Sequence, residues 1–241
     1  MVSSVPIPSE RPRYERVAPV LHTVVLIAVV LAVSFTSAHS QERLAHRPHL
    51  LTYGLTMAWE WTLFAYAWWG FRKSGVRLRE IIGGRWRSPE DALIDVAIAA
   101  GWWILIVAVI AVLGHLTGLA KAQNIETARK TLEFLIPRNN FETGLWIALS
   151  LTAGFCEEIV FRGYLQRQLT AFAGNLYAGI VLSAVVFGLS HGYEGAARMV
   201  MVFALGAMLG VLAHWRRSLR SAMMVHAWQD AFAGLLLRVL K

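Results

Sequence analysis

The strongest indication of the fold is the stretch TGLWIALSLTAGFCEEIVFRGYLQRQ, residues 143–168. It is long and apolar enough for a helix that crosses the ~30 Å hydrocarbon core of a bilayer, which takes about 20 residues. Glu157, Glu158 and Arg162 nevertheless lie within it. Because ionisable groups are costly at that depth, they usually face a bundle interior and mark a functional site. The stretch therefore predicts a membrane helix that carries a polar site.

Six more apolar runs accompany this stretch. They are residues 18–37, 50–70, 91–113, 175–191, 197–213 and 221–239. The whole chain is 56% hydrophobic and only 16% charged, whereas about 25% of a soluble domain is charged. We expect an all-α, polytopic membrane bundle of about seven transmembrane helices, with interfacial helices at 72–87 and 125–136. It forms one domain over 17–241 with its motif core at 143–240, behind a disordered cytoplasmic tail, 1–16.

The distribution of basic residues predicts how the bundle is oriented. The net charge is +8, but the Lys and Arg residues lie in short links between the apolar runs, where they indicate topology and not nucleic-acid binding. Most of the 23 fall in links that share the side of the N-terminus, so we expect a multi-pass cell-membrane protein with a cytoplasmic N-terminus and an outside C-terminus. The first run is longer than the ~7–15 residues of a signal-peptide core, so we expect it to be a retained span.

The two adjacent glutamates have different predicted roles. Glu158 and Arg162 are four residues apart and share a helix face, so they can pair and offset each other's desolvation. Glu157 points about 100° away and has no partner at that spacing. We therefore expect Glu158 and Arg162 to hold the site together and Glu157 to act as a general base in a dry environment.

A spacing of four residues also occurs in the fifth and seventh apolar runs. Phe187 and His191 end the fifth run, and His226 and Asp230 lie on one face of the seventh. Hydrolysis of a peptide bond needs an activated water, a proton donor for the leaving amine and donors for the oxyanion. Glu157 and His191 can supply the first two functions, and His226 with Asp230 can supply the third.

Taken in order, these residues form three motifs of a known family. Glu157 to Arg162 reads EExxxR, Phe187 to His191 reads FxxxH, and His226 to Asp230 reads HxxxD. The set resembles the CPBP (Abi, CAAX-protease and bacteriocin-processing) intramembrane endopeptidases, over about residues 143–240. The resemblance implies a metal-free, glutamic-type protease. In it, Glu157 and His191 activate the water, and His226 with Asp230 form the oxyanion site.

The resemblance leaves the substrate and the metal open. Prenyl-protein endopeptidases typically end the third motif in Asn where this chain has Asp230, so the substrate is a membrane-associated protein or peptide of unspecified kind. It is a lipidated protein, a bacteriocin precursor or a C-terminal sorting tail. No cofactor is expected. The alternative is a Zn²⁺ held by Glu157, His191 and His226, which are acceptable zinc ligands, although the sequence lacks the HExxH motif.

Other interpretations of the chain differ in function class. A proton-coupled transporter also uses intramembrane Glu, His and Arg, but typically shows repeats, and none stands out here. A non-catalytic scaffold of the same fold is the third hypothesis. Glu60 either supports the site from the second helix or lies near an interface, while Cys156 is expected to be a buried apolar residue. Glu157 and His191 lie at different depths in ideal helices, so we expect Gly163 to end the fourth helix early.

Overall fold

The computed structural model describes residues 14–40, 47–116 and 133–239 and the single positions 118, 126 and 130. Within these residues the regular structure is helical and no strand occurs. Predictions for the tail 1–13 and for most of 125–132 fall outside this part of the chain. The helices are α1 (Val20–Ala38), α2 (His49–Lys73), α3 (Leu78–Ile82), α4 (Pro89–Leu116), α5 (Asn140–Ala173), α6 (Leu176–Ser190), α7 (Ala196–Arg216) and α8 (Arg220–Val239).

The seven long helices correspond to the seven apolar runs, which confirms the predicted all-α, polytopic membrane bundle. Four of them, α1, α4, α5 and α7, are long and apolar enough to cross a membrane. Helix α6 is apolar but has only 15 residues. Helices α2 and α8 carry more polar residues, and two of these, Glu60 and His226, are buried inside the bundle.

A tight turn places α5 and α6 side by side in opposite directions. Gly174 ends α5 in the left-handed conformation, with φ of 60°, which glycine adopts without strain. The side chain of Asn175 then caps α6 by accepting a hydrogen bond from the backbone N–H of Ala178, at 3.1 Å. The turn therefore returns the chain along the helix that carries Glu157.

Helix α5 does not end at Gly163, so that prediction was wrong. It continues to Ala173, and its segment Glu158–Leu165 is a π-helix. Gly163 is required for close packing instead, because a Cβ at this position would lie 2.6 Å from Ile81 Cγ2 and 3.2 Å from Leu219 Cδ1. A π-helical segment within an α-helix is frequent at functional sites, and here it begins at the acidic pair.

Hydrogen bonds identify the two ends of the bundle. At one end, Gln168 Oε1 accepts from Val17 N (2.7 Å), and Arg216 donates to Asp95 (2.9 Å). We call it the arginine-rich end, because its links hold the following basic residues: Arg16, Arg72, Lys73, Arg77, Arg79, Arg85, Arg87, Arg167, Arg216, Arg217 and Arg220.

The other end of the bundle, which we call the opposite end, has its own contacts. There Ser34 Oγ donates to Leu189 O (2.7 Å), and Tyr53 Oη donates to Leu135 O (2.9 Å). The side chains of His49 and Glu142 meet at 3.0 Å. The starts of α2, α5 and α7 and the ends of α1, α4, α6 and α8 therefore lie at this end.

A substitution at Gly154 tests how tightly α5 packs against α8. A Cβ there would lie 2.7 Å from Met223 O and 2.9 Å from Ala227 N, both in the backbone of α8. We expect Gly154→Ala to lower the free energy of unfolding by about 1–3 kcal/mol, because the two helices must separate. Thermal unfolding in detergent measures the effect. Gly144→Ala in the same helix is the control, since nothing lies within 4 Å of its Cβ, and equal stability of the two variants would contradict this packing.

Candidate active site

One cavity inside the bundle collects the candidate residues. It has a volume of about 420 Å³, and Glu157, His191, His226 and Asp230 all line it. Helix α5 contributes the first of these, the end of α6 the second and α8 the other two. The structure therefore brings together four residues that are up to 73 positions apart (157 to 230) in the sequence.

A buried ion pair supports one wall of this cavity. Arg162 Nη1 donates to Glu158 Oε1 at 2.6 Å, and the two side chains are 2% and 0% exposed. The same Glu158 oxygen lies 2.8 Å from His226 Nδ1. Because a carboxylate accepts hydrogen bonds, His226 donates from Nδ1. Glu158 therefore connects α5 to α8 and fixes the orientation of the imidazole.

Phe187 is the apolar contact of this ion pair. Its ring lies 4.3 Å from the guanidinium carbon of Arg162. It also meets the rings of His191 and His226 edge-on, with centroids 5.0 Å and 5.8 Å away. A cation over an aromatic face is stabilised by the ring quadrupole, so Phe187 packs three of the polar side chains without offering them a hydrogen bond.

His226 Nε2 faces two carboxyl groups. It lies 3.6 Å from Glu157 Oε2 and 3.6 Å from Asp230 Oδ2. Both separations exceed the length of a hydrogen bond. The Nε2 atom thus points into the cavity between two acidic side chains that come from different helices.

His191 is oriented by its own helix. Its Nδ1 lies 2.9 Å from the Phe187 carbonyl oxygen and 3.1 Å from Ser190 Oγ. Since the carbonyl accepts, Nδ1 donates to it, and Nε2 of a neutral imidazole is then left as an acceptor. His191 lies at the end of α6. The sequence suggested that His191 and Glu157 lie at different depths, but both line the same cavity.

Glu60 belongs to the site, which decides between its two interpretations. It lines the cavity, and its side chain is buried at 5% exposure. Its carboxyl group belongs to the same cavity as that of Glu157. The sequence signal was an acidic residue within an apolar run, but nothing indicated that the second and fourth runs are neighbours.

Three residues at the cavity's outer part were not predicted. Tyr193, Glu194 and Arg198 line it beside His191. Arg198 Nε donates to Glu194 Oε2 at 2.9 Å. Burial would raise the pKa of Glu194, but the Arg198 charge and hydrogen bond hold this pKa below its ordinary value. The available signal was the spacing of four between the two charged residues, which is common on helices.

Glycines of α7 make room for side chains of α5 and α6. A Cβ on Gly206 would lie 2.9 Å from Phe187 Cδ1 and 3.3 Å from Arg162 Nη2. One turn further, a Cβ on Gly210 would lie 2.6 Å from Gln166 Oε1. Cys156, in contrast, is fully buried and does not line the cavity, as expected for an apolar packing residue.

The described residues do not form a metal-binding cluster. No group of three or more of their His, Cys, Asp and Glu side chains is placed to hold an ion. In the alternative zinc set of Glu157, His191 and His226, the Nδ1 atoms of both histidines make hydrogen bonds within the protein, and Nε2 is the nitrogen left for another partner. The zinc alternative therefore stays a hypothesis.

Comparison with known proteins supports the resemblance. Residues 139–232 match the family described as Type II CAAX prenyl endopeptidase Rce1-like. This segment runs from the cap of α5 to just beyond Asp230, so it contains all three motifs. The resemblance to CPBP-type proteases is confirmed over this segment, and the matched family is one of peptidases. No curated protein and no solved structure matches the chain.

Proposed function

We propose that this chain is an intramembrane endopeptidase that hydrolyses a peptide bond in a membrane-associated protein or peptide. The observation that carries the proposal is the convergence of Glu157, His191, His226 and Asp230 on one cavity within the bundle. The family match over the helices that carry these residues supports it. Water and a peptide can meet there, away from bulk solvent.

Each of the four candidate catalytic residues has a role in the proposed reaction. The Glu157 carboxylate, assisted by His191, takes a proton from a water molecule whose oxygen attacks the peptide carbonyl carbon. Charge develops on the carbonyl oxygen, and His226, oriented by Glu158 and flanked by Asp230, stabilises it by donating from Nε2 when both ring nitrogens carry protons. The C–N bond then breaks, and Glu157 returns its proton to the amine. The products are a carboxylic acid and a free amine.

Cleavage of peptides by the purified protein tests this proposal. We expect His191→Ala to lower the cleavage rate by about 10²-fold, because the variant loses an acceptor beside the attacking water. The readout is fluorescence from a library of quenched apolar peptides in detergent. A wild-type protein that cleaves no member of the library, or a His191→Ala protein as fast as wild type, would contradict the proposal.

The proposed mechanism runs without a metal ion. Because the carboxylate of Glu157 serves as the base, we expect the cleavage rate to be unchanged after dialysis against a strong chelator and unchanged on addition of Zn²⁺. The measurement is the rate on one peptide before and after dialysis, with metal content followed by mass spectrometry. A rate that falls with the chelator and recovers with Zn²⁺ would mean that the metal-free assignment is wrong.

A further inference from the structure

The active-site cavity reaches only one end of the bundle. Its lining runs from Glu157 and His226 to residues at the opposite end, including Ser37 at the end of α1 and Leu237 near the end of α8. None of the described residues of the arginine-rich end lines it. A polypeptide that enters from water therefore enters through the opposite end.

The exposed fraction of the acidic and imidazole side chains increases toward the opposite end of the bundle. The side chain of His226 is 3% exposed, that of Glu157 11% and that of Asp230 33%. Asp230 is one turn of α8 nearer to the opposite end than His226. Solvent thus comes closest to the site from this side.

A separate cavity occupies the arginine-rich end. It has a volume of about 530 Å³ and is lined by Arg162 and Gln166 but by none of the four candidate catalytic residues. The two cavities have no lining residue in common. The Glu158–Arg162 ion pair and Leu165, which is 1% exposed, are buried at this level of α5, so within the described residues the arginine-rich end has no open path to Glu157.

The charge of the two ends indicates their sides of the membrane. Cytoplasmic links of membrane proteins carry an excess of Lys and Arg, and the arginine-rich end has this excess among the described residues. The described basic residues of the opposite end and its links are fewer: Arg47, Lys130, Arg138, Arg198 and Arg238. The arginine-rich end is therefore the cytoplasmic end.

We infer that the active-site cavity opens on the extracytoplasmic side of the membrane, and that its substrate is a polypeptide segment held at that surface. The inference rests on the proposed peptidase function. Apolar walls such as Leu149, Met201 and Val202 suit an extended apolar segment beside a membrane anchor, and ~300–1,000 Å³ is the usual size of a ligand cavity.

Cysteine labelling in sealed cells tests the side directly. Cys156 is the single cysteine, so a Cys156→Ala protein is the background for single cysteines. Arg138→Cys probes the opposite end, and Arg79→Cys, which also removes one exposed arginine, is the matched control at the arginine-rich end. Ala233→Cys probes the cavity lining. A membrane-impermeant maleimide is the probe.

We expect the Arg138→Cys and Ala233→Cys proteins to be labelled in sealed cells to the same extent as after lysis, and the Arg79→Cys protein only after lysis. The reverse pattern overturns the inference. Labelling of Arg138→Cys without labelling of Ala233→Cys overturns it as well, because the cavity would then be closed to that side. Neither readout depends on peptide cleavage.

Cleavage in oriented vesicles separates this inference from the proposed function. A membrane-impermeant quenched peptide is added to right-side-out and inside-out vesicles that contain the protein. We expect cleavage with the right-side-out vesicles and a loss of cleavage with the inside-out ones until detergent is added. Cleavage with inside-out vesicles alone overturns the inference and leaves the peptidase function intact, whereas no Glu157-dependent cleavage in detergent contradicts the function itself.

Discussion

Glu157→Gln is expected to reduce the rate of peptide cleavage by the purified protein by about 10²–10⁴-fold, the range that a general base contributes. Glutamine keeps the size and the hydrogen-bonding shape of the side chain but cannot accept the proton of water. Glu157 makes no hydrogen bond to the Glu158–Arg162 pair, so the bundle stays folded. The measurements are the cleavage rate and the thermal unfolding temperature of the same preparation.

Glu80→Gln is the control for this prediction. Glu80 is exposed at the arginine-rich end and pairs only with Arg77 at 3.5 Å, so its loss leaves cleavage unchanged. A Glu157→Gln protein that cleaves at the wild-type rate would contradict the assigned base. A protein that is slow because it has unfolded would contradict the division of roles between the two adjacent glutamates.

Arg162→Met is expected to lower the free energy of unfolding by about 3–5 kcal/mol, the cost of removing one partner from a buried ion pair. The methionine fills much of the same volume, but the Glu158 carboxylate is left at 0% exposure with only His226 as a partner. The Phe187 ring also loses its contact with the guanidinium. Chemical or thermal unfolding in detergent gives the difference from wild type.

Arg77→Met is the control for an ion pair between nearby residues of one segment at the surface. Arg77 and Glu80 lie 3.5 Å apart with side chains 78% and 58% exposed, and exposed ion pairs contribute only about 0–1 kcal/mol. The double variant with Glu158→Gln and Arg162→Met is expected to unfold less easily than Arg162→Met alone, because no charge is left unpaired. Equal stability of the Arg162→Met and wild-type proteins would show that the pair does not hold the site.

The sequence was sufficient to predict the helices and the polar pairs along each of them. Apolar runs longer than ordinary core helices give the membrane bundle with little ambiguity, because a bilayer forces backbone groups to bond within a helix. The spacing of four in Glu158–Arg162 predicts a contact that depends on one helix alone. The structure has this contact at 2.6 Å, even though the segment is a π-helix.

Features that depend on two helices could not be predicted from the local pattern. Glu60 and Glu157 line one cavity only because α2 packs against α5, and no periodicity in either run contains that information. Gly163 was misread for the same reason, since a glycine in a helix can end it or allow a neighbour to approach. The direction in which the cavity opens depends on all the helices that surround it.

We propose that the three motifs form one centre for peptide hydrolysis in the membrane. The most direct test of this proposal is mass spectrometry of new protein N-termini in membranes that contain either the wild-type or the Glu157→Gln protein at equal abundance. We expect a defined set of N-termini with the wild type, in segments next to a membrane anchor, and their uncleaved precursors with the variant. An identical set of N-termini in both membranes would contradict it.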